Sequence, residues 1–123
     1  MNEGLNPSVA EVVPIRLEKA LSHVALRGEF DIERTQRVEL AFTAATAARH
    51  VPTIVDMSAV TYLASYALGM LIAAARAVRS RGHRFVVLSP SPRVAEVLAA
   101  ARLESLLPIA ATEAEALAMI NGA

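Results

Sequence analysis

The sequence predicts an α/β fold: a single domain whose mixed, mostly parallel sheet is covered by about four helices. Three observations lead to this prediction. The 123 residues suffice for one hydrophobic core and are too few for two. Strand-like and helix-like segments alternate in the order β-β-α-β-α-β-α-β-α, which implies parallel strands joined by crossover helices after an opening hairpin. No linker or low-complexity segment divides the chain.

The first two strands are expected to form the hairpin. Val12–Glu18 alternates apolar and polar residues, but Pro14 removes an amide donor and so indicates an edge strand or a strand end. His23–Glu29 alternates in a similar way, and Gly28 is expected to end that strand.

The next two elements are a helix and a short strand. Apolar residues recur at helical spacing from Ile32 to about Arg49, and Asp31 just before them is a suitable N-cap. Thr53–Met57 then predicts a strand with Asp56 near its carboxyl end, where ligand sites of α/β sheets gather.

A second helix is expected from about Tyr66 to Ser80, with Ser65 as its N-cap and Gly82 as its stop signal. Arg84–Ser89 follows as a continuous apolar run, which is typical of a strand covered on both faces.

The C-terminal part predicts two more helices around a short strand. Ser91 as N-cap and Pro92 in the first turn begin the third helix. Leu106–Ala110 is expected to be the last strand. Thr112 and Glu115 have the spacing of a capping box at the start of the fourth helix.

Composition argues against several classes of function. Basic and acidic residues number twelve each, so no net charge favours nucleic acid or an acidic membrane. The chain has three phenylalanines, two tyrosines and no tryptophan, which argues against a stacking surface for single-stranded nucleic acid. Because it has no cysteine, it has no disulfide, thiol nucleophile or thiolate metal site.

The sequence also predicts a cytoplasmic protein. The N-terminal residues lack the basic and then apolar regions of a signal peptide. The apolar stretch 67–75 is too short to span a bilayer, so we expect no membrane insertion.

No catalytic or cofactor constellation is visible. His23, His50 and His83 lie in separate segments without metal-site spacing, and they are expected to be solvated or at strand edges. The glycines form neither a P-loop nor a dinucleotide fingerprint, and Asp31 and Asp56 have no nucleophile beside them. We therefore expect no enzyme, no cofactor and no metal.

One basic cluster stands out, formed by Arg76, Arg79, Arg81 and Arg84. The simpler interpretation is a solvated helix face whose charges favour the negative end of the helix dipole. Phosphate binding is the alternative.

The start of the second helix carries two adjacent hydroxyls, on Ser65 and Tyr66. Capping is a sufficient explanation for Ser65. A phosphate on Ser65 would also be tolerated by the fold, because free amides and the positive end of the helix dipole lie there. Its charge would nevertheless repel a partner that docks over Tyr62, Leu63, Tyr66 and Leu68.

Two segments resemble a known family. LRGEFDIERT contains Gly28, Glu29 and Asp31, which match a Gly-Glu-x-Asp element that follows the second strand of STAS domains. IVDMSAVTYLASYALGML contains a strand ending at Asp56, then an aromatic connection and a helix start similar to the family's Asp-Ser-Ser-Gly-Leu-Gly. The type most similar is the bacterial anti-sigma factor antagonist.

The resemblance covers residues 10–121, which we take as the domain, and leaves residues 1–9 as an N-terminal tail. It implies a non-enzymatic protein that binds an anti-sigma factor, itself a serine kinase, and thereby frees a sigma factor. It also implies that phosphorylation of Ser65, which matches the first serine of the element, ends this binding. Ala64 and Tyr66 stand where the family has its aspartate and its second serine.

The resemblance places the partner-binding surface on the loop after the second strand and on the start of the second helix. Its residues are Gly28, Glu29, Asp31, Ile32, Tyr62, Leu63, Ser65, Tyr66 and Leu68. The expected partner is a protein and no nucleic acid, and the chain itself is expected to be a monomer or a homodimer.

Two other functions stay open. One is a STAS scaffold or regulatory subunit of a signalling, transporter or lipid-transport complex, whose interface is constitutive and where Ser65 is only a cap. The other is binding of a small molecule or nucleotide at the same helix start.

Overall fold

The computed structural model describes residues 9–122 and confirms the predicted order of elements. The strands are β1 (Glu11–Glu18), β2 (Leu21–Phe30), β3 (Thr53–Leu63), β4 (Phe85–Leu88) and β5 (Ile109–Ala110). The helices are α1 (Ile32–Ala45), α2 (Ser65–Ser80), α3 (Pro92–Ala100) and α4 (Glu113–Asn121), and a 3-10 turn, Ala47–Arg49, follows α1. Of the predicted N-terminal tail, residues 1–8 lie outside the described residues.

The five strands form one sheet in the order β1-β2-β3-β4-β5. β1 pairs with β2 in antiparallel fashion, and each later neighbour pairs in parallel. The mixed, mostly parallel sheet is thus confirmed, and β1, which carries Pro14, lies at an edge of it as expected.

The two faces of the sheet carry separate apolar clusters. The larger cluster packs α1, α2 and α3 against one face; it includes Val24, Leu26, Phe30, Phe42, Met57, Leu71, Phe85, Val87 and Leu98. The smaller cluster lies under α4 and comprises Leu21, Ile54, Val86, Leu88, Ala110 and Ala116. Because successive strand residues point to opposite faces, β4 contributes to both clusters and is buried along its whole length, as its apolar run predicts.

β3 is longer than predicted. It runs from Thr53 to Leu63 because residues 59–63, expected to be a connection, continue to pair with the end of β2. Val60 and Leu63 are buried in the larger cluster. Thr61 and Tyr62 between them interrupt the alternation of apolar and polar residues by which a strand is predicted. Asp56 therefore lies inside the strand rather than at its end. Its carboxylate accepts a hydrogen bond of 2.9 Å from the Ser58 amide.

β2 also continues past its predicted end. Gly28 lies within the strand, at a point where the pairing with β3 is irregular, and the strand ends at Phe30. The backbone of Gly28 has a φ of 101°, a conformation that glycine adopts readily and that other residues rarely adopt.

Other boundaries shift by a few residues. α1 ends at Ala45 rather than near Arg49, and the Thr46 hydroxyl donates to the Phe42 carbonyl at 2.7 Å. The last strand consists of Ile109–Ala110 alone, because only these two residues pair with β4.

The predicted caps of α3 and α4 are confirmed. Ser91 accepts a bond from the Val94 amide at 3.4 Å, and Thr112 accepts one from the Glu115 amide at 3.1 Å. The Glu115 carboxylate accepts a hydrogen bond from the amide of Ala111. In a capping box it would accept one from the amide of the N-cap, which is the next residue, Thr112.

The prediction of solvated or strand-edge histidines is wrong for His23. Its side chain lies in β2 between β1 and β3 and is buried, because β2 is an interior strand of the sheet. Neither ring nitrogen has a hydrogen-bond partner in the described part of the chain. His50 is exposed and adopts a left-handed backbone conformation after the 3-10 turn.

Within residues 9–122, no helix combines the length and the apolar character needed to cross a membrane. Over the same range, no three acidic or histidine side chains are placed so that they could hold a metal ion.

Candidate partner-docking site

The predicted binding residues meet where β2 and β3 end. Glu29 and Phe30 pair with Tyr62 and Leu63 across the two parallel strands, and the Ala64 amide donates to the Phe30 carbonyl at 3.0 Å. The carboxyl ends of neighbouring parallel strands lie at the same edge of a sheet, so the first turns of α1 and α2 are brought side by side. Sequence segments about 30 residues apart therefore form one surface.

Seven of the nine predicted binding residues lie at least partly on the surface, and we call them the docking edge: Glu29, Asp31, Ile32, Tyr62, Ser65, Tyr66 and Leu68. The other two, Gly28 and Leu63, are buried. Gly28 lies against the Val9 carbonyl, and Leu63 packs in the larger core cluster. These two residues position the docking edge from beneath.

Exposed apolar side chains mark the docking edge. Ile32 is 57% exposed, Tyr62 44% and Tyr66 37%. Large apolar side chains that stay exposed at one edge of a sheet are typical of a surface that a partner covers. Their place at one edge of the sheet, beside Ser65, is the main structural feature of this site.

Asp31 caps α1, as the sequence predicts. One carboxylate oxygen accepts a bond of 2.8 Å from the Arg34 amide, and the other accepts one from the Arg34 guanidinium. The hydrogen bond from the Arg34 amide, together with the positive charge of the Arg34 guanidinium, holds the pKa of Asp31 below its usual value. Since the folded pKa is depressed, this carboxylate stabilises the fold above its unfolded pKa of about 3.9, and the contribution is lost as the pH falls through the folded pKa.

We expect Asp31→Ala to lower the melting temperature at pH 7 by a few degrees, because the first turn of α1 loses its cap. The difference from the parent protein should shrink as the pH falls below the unfolded pKa of about 3.9 and through the depressed folded pKa of Asp31. Thermal unfolding followed by circular dichroism measures both effects. Asp31→Ser is the matched control: it keeps a capping oxygen and should lose only the pH dependence. Equal melting temperatures for the parent and Asp31→Ala at pH 7 would contradict this role.

Tyr66 ties α2 to α1. Its hydroxyl donates a hydrogen bond of 2.6 Å to a carboxylate oxygen of Glu39, a residue 27 positions earlier in the chain. This bond raises the pKa of Tyr66 above its ordinary value, because the protonated phenol is the form that donates. The ring is thus held at the docking edge while a third of it stays exposed.

The structure corrects the predicted cap of α2. Ser65 is the first helical residue, and the N-cap is Ala64, whose extended backbone suits that position but whose methyl group accepts no hydrogen bond. The first intrahelical bond runs from the Leu68 amide to the Ala64 carbonyl. The amides of Ser65, Tyr66 and Ala67 therefore have no partner within the helix. The sequence prediction failed by one residue, since serine is a far commoner N-cap than alanine.

Two contributors were not predicted from the sequence. Arg34 holds the Asp31 carboxylate. Because the two residues are three positions apart at the start of a helix, the sequence spacing could have indicated this pair. Glu39 fixes Tyr66 across two helices, and no local pattern indicates that contact.

Comparisons with known proteins bear on the fold and on the family. A family model described as "Mlab, STAS domain" matches residues 14–108. A comparison with curated protein sequences gives no significant match.

Solved structures of anti-sigma factor antagonists share the fold. One from Mycobacterium paratuberculosis has a TM-score of 0.80 at 24% identity, over 94% of this chain and 97% of the other. The STAS domain protein from Planctomyces limnophilus, an anti-sigma factor antagonist, has a TM-score of 0.72 at 18% identity, covering 92% and 98%. The phosphorylated form of the Bacillus cell fate determinant SpoIIAA has a TM-score of 0.65 at 20% identity, covering 92% and 100%.

At these identities the structural matches demonstrate the shared fold, and the family model matches 95 residues, more than three quarters of the sequence. The chain belongs to the STAS domain family.

Proposed function

We propose that this protein acts by binding rather than by catalysis, as an anti-sigma factor antagonist in a partner-switching pathway. Its partner is an anti-sigma factor of the serine kinase type, and binding of that partner frees a sigma factor. The observation that carries the proposal is the docking edge itself, where the exposed apolar side chains of Ile32, Tyr62 and Tyr66 lie at the same edge of the sheet as Ser65. The resemblance of the sequence to antagonists of this type supplies the class of partner.

The position of Ser65 suits a switch. The side chain is exposed, and the first turn of α2 has three amides without helical partners and no acidic residue. A phosphate on Ser65 would meet these amides and the positive end of the helix dipole, so the fold would tolerate it. A partner covering Tyr62 and Tyr66 would have to remove water from close to two added negative charges. Phosphorylation would therefore release the partner and leave the domain folded.

The test uses the cognate kinase. We expect incubation with kinase and ATP to add the mass of one phosphate to the intact protein, and the modified protein to lose its complex with the kinase in size-exclusion chromatography. Ser65→Ala should take up no phosphate and should retain the complex. Ser58→Ala is the matched control, since Ser58 is also an exposed serine of this segment and should leave the phosphorylation unchanged. Uptake of phosphate by Ser65→Ala would place the switch elsewhere.

A second candidate function is a constitutive one. Ala64 supplies no carboxylate beside the Ser65 hydroxyl, and Tyr66 is held by Glu39 at the same place. Both features favour a permanent interface, as in a scaffold or a regulatory subunit of a signalling, transporter or lipid-transport complex. Co-purification from the native cell separates the two: a kinase-like anti-sigma factor supports switching, and membrane permease components support the subunit.

A further inference from the structure

The far end of α2 borders a cavity of about 450 Å³. Its wall is built from the end of α2, the loop that leads into β4, the segment before β5 and the second half of α4. The lining includes charged and polar residues, which are Arg79, His83, Arg84 and Ser105, and the apolar residues Pro108 and Met119. With 16 residues α2 is about 24 Å long, so the cavity is well separated from Ser65 at the other end of the helix.

The polar side of the cavity is cationic. Arg79 and Arg84 are exposed, and within residues 9–122 neither forms an ion pair. The Arg79 guanidinium donates to the Ser105 carbonyl at 2.7 Å, which holds it across the cavity wall. A single bond leaves most of the five guanidinium donors free.

The helix dipole accounts for the presence of a cation at position 79 but not for the one at position 84. Arg79 lies in the last turn of α2, where a cation is favoured. Arg84 lies beyond the helix, and its carbonyl accepts the Thr53 amide at 2.9 Å, so the sheet fixes its backbone at the cavity mouth. His83 between them is half-buried, and its amide is bound to the Val78 carbonyl at 3.2 Å. The two guanidinium groups are thus carried on a rigid frame.

The rest of the cavity is apolar. Pro108 and Met119, both half-buried, supply its apolar surface, and the buried residues Phe85 and Val86 of β4 border it. A volume of this size is within the range of small-molecule sites, which combine an apolar wall with a few polar groups that orient the ligand. A ligand that fills it needs an apolar body and an anionic group.

We propose that this cavity binds a small organic phosphate, with Arg84 and Arg79 on the phosphate and Met119 and Pro108 against the apolar body. The planar guanidinium fork matches the geometry of phosphate oxygens and forms charge-assisted hydrogen bonds with them. The site lies at the amino end of β4, away from the docking edge, so a partner and this ligand can be bound together. The sequence analysis gave two interpretations of the arginine cluster, and this proposal assigns phosphate binding to Arg79 and Arg84 and leaves Arg76 on the solvated face of α2.

Phenyl phosphate is the probe, and amide proton–nitrogen correlation NMR of the whole chain is the measurement. We expect its titration to shift the signals of Gly82, His83, Arg84 and Ser105. Inorganic phosphate and phenol, each carrying half of the recognised chemistry, should bind more weakly than phenyl phosphate. Equal binding of inorganic phosphate would show that the apolar wall takes no part and would overturn the proposal.

Arg84→Gln should weaken binding of phenyl phosphate about tenfold or more, since a charge-assisted contact is lost. Arg76→Gln is the matched control: Arg76 is an exposed arginine of α2 that does not line the cavity, and its variant should bind like the parent. Both side chains are on the surface, and the correlation spectrum itself reports that each variant is folded. Equal weakening in the two variants, or shifts centred on residues 65–68 instead, would refute the assignment of this cavity.

Discussion

Gly28→Ala is expected to lower the free energy of unfolding by about 3 kcal/mol, the largest stability effect that we predict. A methyl group at this position would lie 1.8 Å from the Val9 carbonyl oxygen, far inside van der Waals contact. The contact is with backbone, so no side chain can rotate away. The φ of 101° adds strain, because a residue with a Cβ rarely adopts it. Relief would require the segment at Val9 and Ala10 to move, and Ala10 belongs to the larger core cluster.

Gly82→Ala is the matched control for this prediction. Gly82 has a similar φ of 82°, but an added Cβ would meet no atom within 4 Å. Gly82→Ala should lower the free energy of unfolding only by the cost of placing a residue with a Cβ at a positive φ, about 1 kcal/mol. Urea unfolding of the three proteins measures the difference. Equal losses in the two variants would show that the approach of Val9 to Gly28 does not constrain the fold.

Ala64→Asp is expected to raise the free energy of unfolding by about 1.5 kcal/mol, the second largest effect. Ala64 already has the extended backbone of an N-cap, with φ −77° and ψ 163°, and lacks only an accepting side chain. A carboxylate there would accept a bond from a first-turn amide of α2 and would face the positive end of the helix dipole. The first turn of α2 contains no acidic residue that already supplies this charge.

Two variants separate the causes. Ala64→Asn supplies the accepting oxygen without the charge and should give most of the gain. Ala73→Asp makes the same substitution at an exposed position inside α2, where aspartate is a poorer helix former than alanine, and it should be destabilising by about 0.5 kcal/mol. Thermal and urea unfolding measure all three. No gain from either Ala64 variant would mean that the amides at the start of α2 are already satisfied.

The elements could be predicted where apolar spacing was regular, and their ends could not be. α2, α3 and β4 have uninterrupted patterns, and each was found close to its true position. β3 was cut short because polar residues after Met57 break the strand pattern, although pairing with β2 continues to Leu63. β2 was cut short at Gly28, because a glycine that ends many strands serves here as an irregularity within one.

The arrangement of the candidate docking edge, like the ends of the strands, depends on contacts between distant segments, so the sequence predicts it only in part. A motif can place Asp31, Ile32 and Tyr62 near one another through the order of strands, since parallel strands end at a common edge. It cannot show that Leu63 is buried or that Tyr66 is held by Glu39, because those facts depend on how α1 packs beside α2.

The sequence by itself determined the class of fold, the order of elements, the caps at Asp31, Ser91 and Thr112, and the family resemblance. These depend on local chemistry: the spacing of apolar residues, and side-chain oxygens that reach amides three residues away. Only the tertiary structure decided that Ala64 rather than Ser65 caps α2, that His23 is buried, and that Arg79 and Arg84 face one cavity. Each of these depends on groups brought together from distant parts of the chain, which no local pattern encodes.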